Sequence, residues 1–195
     1  MSQPLPGHPL RASDRLSAAR SFAAVAHTGQ GRKGTRFPYM VHPLEVARIV
    51  ARYYPGQEDL IIAALLHDTL EDTAATAPEI AILFGAPVAA LVLGVTAARG
   101  TSWRDTRTIT LAKLASASPD VVRLKAADGL SNVRSLRRDI AKAGAAATYR
   151  KFKSSGPADM AWYHSGICEI ATRRLGDEPL VVEYRAVIKQ LWPKV

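Results

Sequence analysis

Leu60 to Leu66 form an unbroken apolar run, and four polar residues crowd its end: His67, Asp68, Glu71 and Asp72. If the run is helical, His67 and Glu71 sit one turn apart, and so do Asp68 and Asp72. Polar groups at the end of a buried helix are costly to desolvate. Acids at a helix C-terminus also oppose the dipole, which favours cations there. Such a cluster is expected either where a cation or a water-filled site meets the helix end, or as a solvated helix end, and the choice turns on the rest of the chain. Two distant segments carry matching side chains: 39–43, with His42, and 125–132, with Asp128 and Asn132.

The rest of the chain reads as helices punctuated by proline and glycine. Ser13 or Asp14 starts a helix to about His27, with Leu16, Ala19, Phe22, Ala23 and Ala26 as its apolar face. His42-Pro43 opens a helix to about Tyr53, and the next covers about 58–70. Pro78 starts a short helix that Gly85 ends, and Pro87 starts another to about Thr96. A helix of about 106–117 follows, then one over about 120–136 after Ser118-Pro119. Pro157 and Pro179 open two last helices, about 158–175 and 179–192. The stretch 137–156 is basic and glycine-containing and gives no clear pattern. Only the valine-rich 87–95 run resembles a strand. The expectation is an all-α fold of about eight to ten helices, one domain over 13–195 behind a disordered arm at 1–12.

Composition narrows the partners. The chain of 195 residues carries 26 Lys plus Arg against 17 Asp plus Glu, a net charge of +9. With part of the acid committed to a site, the remaining surface is more basic still, which suits an anionic partner. Of the nine positions from 28 to 36, six are three glycines and three basic residues, Arg32, Lys33 and Arg36. Such a loop lets backbone approach an anion closely. RNA binding would need aromatics interleaved with the basic residues, and only Phe37 and Tyr39 are near. Lys125 and Arg134 read as surface cations. One cysteine, Cys168, forms no intrachain disulfide and reads as an apolar helix residue. With no signal-like run near Met1 and no span for a bilayer, a cytoplasmic location without membrane contact is expected. Oligomeric state is not encoded in any visible feature.

Two imidazoles and two carboxylates, with no thiolate, suit a divalent ion such as manganese, iron, zinc or nickel with open positions. The order His42…His67-Asp68…Asp128 resembles the signature of the HD superfamily of metal-dependent phosphohydrolases. More narrowly, Gln30-Gly31-Arg32-Lys33, Pro38-Tyr39-Met40-Val41-His42-Pro43, His67-Asp68-Thr69-Leu70-Glu71-Asp72-Thr73 and Asp128-Gly129-Leu130-Ser131-Asn132 resemble the hydrolase domain of RelA/SpoT proteins and small alarmone hydrolases. The resemblance spans about 15–136 and fades through the last third.

It implies a manganese ion on His42, His67, Asp68 and Asp128, and an acidic pair, Glu71 and Asp72, that handles the attacking water. It also implies nucleotide contacts at Arg32, Lys33 and Asn132, and loss of pyrophosphate from the 3′ position of guanosine tetra- or pentaphosphate. Four positions depart from the family pattern: Ala97-Ala98 replace acids, Gly129 replaces a basic residue, and Ser131 replaces an aromatic or histidine. They leave adenosine analogues and NADPH open as substrates. The alternatives are an HD-type nucleotidase or phosphodiesterase, or a non-catalytic nucleotide-binding domain. Inactive relatives usually lose a ligand or an acid, and all six positions stand here.

Overall fold

The computed structural model describes residues 12–32, 37–98 and 100–193. Eleven helical segments follow in order: α1 (Ala12–Ala26), α2 (Val41–Tyr53), α3 (Glu58–Leu66), α4 (Thr69–Asp72), α5 (Ala77–Phe84), α6 (Ala86–Val95), α7 (Trp103–Ala115), α8 (Pro119–Ala143), α9 (Ala145–Tyr149), α10 (Pro157–Leu175) and α11 (Pro179–Leu191). Nine of them have eight residues or more. No strand is present among the described residues, and the valine-rich 87–95 run lies in α6. The expectation of an all-α fold holds. The expected arm at 1–12 lies almost wholly outside the described residues.

Local chemistry explains most boundaries. Thr76 and Glu79 form a reciprocal capping box at the start of α5, which satisfies donors that the first turn leaves free. Ser102 and Ser118 accept from Asp105 N and Val121 N at the starts of α7 and α8. Proline stands in the first turn of α5, α6, α8, α10 and α11. Gly85 has φ +96° and serves as the end of α5 and the start of α6. An L side chain there would be strained.

One expected helix is broken. The segment 58–70 stops at Leu66, and a short α4 follows. The cause is side-chain competition for the last carbonyls: His67 Nδ1 bonds Ala64 O at 2.8 Å, and Thr69 Oγ1 bonds Leu66 O at 2.7 Å. Side chains that satisfy carbonyls locally release the chain from the helix. The backbone still turns tightly, with Asp72 N on Asp68 O at 3.0 Å.

α3 and α8 are the central elements. α3 packs against α1, α2, α6 and α8, while α8 also meets α2, α6, α9, α10 and α11. Leu60, Ile62, Leu65 and Leu66 of α3 are buried. Burial of each such side chain is worth about 1.5–3 kcal/mol. That exceeds what is lost by drawing the polar His67-Asp68 pair inward, provided those groups find partners. In this way α3 delivers His67 to the interior, next to His42 from α2 and Asp128 from α8.

Candidate metal centre

Three donors converge from three elements. His42, His67 and Asp128 are buried, and one ligating atom of each lies within 4.8 Å of the others. His42 Nε2 is 3.2 Å from Asp128 Oδ1, and His67 Nε2 is 3.9 Å from it. Asp68 Oδ2 adds a fourth group, 3.0 Å from His67 Nε2 and 3.6 Å from His42 Nε2. His67 Nε2 is buried and makes no hydrogen bond. Its Nδ1 is committed to Ala64 O, which leaves Nε2 aimed at the carboxylates. An imidazole nitrogen fixed this way by a backbone carbonyl is the usual arrangement of a metal ligand. The donor set therefore fits a divalent ion.

Each donor has a supporting partner. The Ser131 hydroxyl is 3.2 Å from His42 Nδ1. The Tyr39 hydroxyl donates to Asp68 Oδ2. Lys125 Nζ donates to Asp128 Oδ2 at 3.0 Å, and Asn132 Nδ2 donates to Asp128 Oδ1 at 2.6 Å. Where the resemblance leads one to expect an aromatic or histidine, Ser131 thus sets a small hydroxyl against the His42 ring.

The electrostatics attract positive charge. Burial pulls the His67 pKa down, but the Asp68 and Asp128 charges outweigh it, and the result is up, to about 9. Burial pushes the Asp68 carboxyl up, yet His67 reverses this and holds it below the usual range. Burial acts likewise on Asp128, and Lys125 with the two histidines overcomes it. Asp72 is exposed as a residue, but partial desolvation of its carboxyl and the Asp68 charge raise its pKa. Glu71 is exposed, and its Oε1 accepts from Ala97 N at 2.6 Å. That contact gives Ala97 a place in the site's rim through its backbone.

A cavity of about 420 Å³ opens beside Asp128, its walls including Arg32, Tyr39, Arg107, Asn132, Tyr163 and His164. Arg32 donates to Asn132 Oδ1 at 3.3 Å, so two of the expected nucleotide contacts meet. Lys33 lies outside the described residues. Lys125 corrects the surface reading: it is only 7% exposed, and it lines the same cavity. Its position three residues before Asp128 places both on one helix face, a signal that the sequence did carry. Arg134 instead pairs with Glu183 at a distance from the donors. Arg107, Tyr163 and His164 had no signal, because their helices gain meaning only once folded against α8.

A family model for the HD domain matches residues 19–152. The chain belongs to the HD domain family. A human relative, guanosine-3′,5′-bis(diphosphate) 3′-pyrophosphohydrolase MESH1, is 40% identical over 129 residues, covering 64% of this chain and 70% of its own length. The Aquifex aeolicus guanosine-3′,5′-bis(diphosphate) 3′-pyrophosphohydrolase is 42% identical over 127 residues, 64% of this chain but only 18% of that protein. The solved structure of a metazoan SpoT ortholog, described as hydrolysing ppGpp, superposes with a TM-score of 0.72. It covers 94% of this chain and 97% of its own at 23% identity, so the shared fold extends through the last third.

Proposed function

We propose that this HD domain protein removes pyrophosphate from the 3′ position of guanosine tetra- or pentaphosphate, with manganese held by His42, His67, Asp68 and Asp128. The observation that carries the reaction class is the buried set of two imidazoles and two carboxylates beside a cavity lined by cationic side chains. The guanosine substrate comes from the names of the relatives. A cytoplasmic location goes with this reading.

A divalent ion bound there stabilises charge on a phosphoryl oxygen and lowers the pKa of water. The chain supplies the rest. Tyr39 holds the Asp68 oxygen that faces the histidines, and Lys125 holds the far oxygen of Asp128, so these carboxylates stay oriented. Asp72 and Glu71 form the acidic pair that orients the attacking water and moves its proton. Partial desolvation and the nearby Asp68 charge raise the proton affinity of Asp72, which suits the acid role. Glu71, held by the Ala97 amide, suits the base. Arg32 meets the nucleotide by stacking or pairing, beside Asn132.

Product analysis tests this. Manganese-loaded protein is offered guanosine and adenosine 3′-pyrophosphates, NADPH and ordinary 5′-nucleotides. Pyrophosphate release from the guanosine compound, with its 5′ phosphates intact, is expected. Cleavage of a 5′-monophosphate with the 3′-pyrophosphates untouched would hand the site to a nucleotidase.

A further inference from the structure

Gly129, directly after Asp128, is shaped by a tyrosine from the far end of the chain. A Cβ at this position would lie 2.4 Å from the Tyr184 hydroxyl oxygen and 2.7 Å from Cζ. Only glycine lets the phenol reach this depth against α8. The Tyr184 oxygen is then 2.7 Å from His164 Nδ1. The imidazole also stacks on Trp192, with ring centres 6.0 Å apart and planes at 18°.

This contact decides the tautomer of His164. Tyr184 is fully buried, and His164 Nδ1 is the partner of its hydroxyl. If Nδ1 carried the proton, the phenol hydrogen would be left buried without an acceptor, at a cost of about 1–3 kcal/mol. The phenol therefore donates, and the imidazole hydrogen sits on Nε2. Burial, reinforced by Lys125 and Arg107 against the opposing Asp128 charge, draws the His164 pKa down to about 4, so the ring is neutral. His164 lines the same cavity as Asp128. Two neighbours in that wall also present donors: the Tyr163 hydroxyl and Arg107 Nε are buried and have no hydrogen-bond partner, and Tyr163 is only 7% exposed. A wall of donors beside the carboxylate set calls for a ligand rich in acceptors and negative charge.

We propose that His164 is a substrate-binding residue whose Nε2–H donates to a phosphoryl oxygen of the nucleotide, with Tyr184 as the positioning residue that fixes this tautomer. The inference rests on the hydrolase reading above and gives its substrate's phosphates a place in the last third of the chain.

The test uses inorganic pyrophosphate binding to the manganese-loaded protein by calorimetry, alongside kcat and KM for the guanosine compound. The variants are H164N, H164Q and Y184F. An Asn amide reaches only the place of Nδ1, whereas a Gln amide reaches that of Nε2. H164N is expected to weaken pyrophosphate binding and raise KM by about tenfold, the size of one hydrogen bond to a charged group. The change in kcat should be smaller. H164Q should restore most of the loss, and Y184F should weaken binding by a few-fold. If H164N does not fold, Y184F and H164Q carry the comparison. Wild-type affinity and KM in H164N and Y184F would overturn the proposal. So would equal losses in H164N and H164Q, which would mark packing on Trp192 instead. If no 3′-pyrophosphate is cleaved but pyrophosphate binding still follows the variant order, the hydrolase reading falls and the His164 subsite stands.

Discussion

Asp128 divides its carboxylate between two tasks. Oδ2 is held by Lys125, while Oδ1 takes Asn132 and faces His42. A carboxylate clamped on one oxygen presents the other in a fixed direction, which a metal site requires. Glu71 and Asp72 are different in kind, being exposed at the rim. Their loss should therefore cost chemistry and leave the ion in place. Glu71→Gln and Asp72→Asn should each lower kcat by about 10²–10⁴, with manganese content unchanged by elemental analysis. Wild-type turnover in both variants would remove the pair from the mechanism. At this scale the sequence was readable where a side chain was out of place for its neighbourhood. His67 and Asp68 at the end of an apolar run stood out in that way. Lys125 did not, because a lysine in a helix defaults to solvent, so its place on the Asp128 face gains weight only once the fold buries it.

Helix starts were legible from proline and hydroxyl caps, as Ser118-Pro119, Pro157 and Pro179 show. Helix ends were less so. α8 runs to Ala143, seven residues past the expected 136, and Gly144 ends it. The extra turns face Glu45 and Lys151 through Arg138 and Asp139, contacts that no local pattern encodes. The C-terminal elements are tied back by a second polar cluster. Glu178, just before α11, accepts from Arg123 of α8 at 2.6 Å and from the Tyr54 hydroxyl at 2.6 Å. The Arg123 bond, against partial burial and with help from Tyr54, lowers the Glu178 pKa. A lowered carboxylate pKa stabilises the fold above the unfolded value of about 4.3 and loses that effect as pH falls through the folded value. Glu178→Gln should therefore lower the urea midpoint at pH 7, and the gap to wild type should close as the pH is taken below about 4. A gap that is constant with pH would mean that the glutamate acts by packing alone.

Across the whole molecule, the positive surface and the acidic interior belong to one design. The chain carries a net charge of +9, yet Asp68 and Asp128 are gathered at the convergence of α2, α3 and α8. The cavity beside them is lined by Arg32, Arg107 and Lys125. In the proposed reaction, a polyanion is drawn towards the cationic wall, and its reacting group meets the donor set. The four candidate donors were legible in the sequence because they come from three short strings. The cavity's far wall comes from α7 and α10 and was not, since no single segment holds it. The account stands or falls on whether those donors take an ion. Manganese titrated calorimetrically into metal-stripped protein should bind at one ion per chain, with binding lost in both His67→Ala and Asp128→Ala while helical content by circular dichroism is kept. Full manganese binding in both folded variants would contradict it.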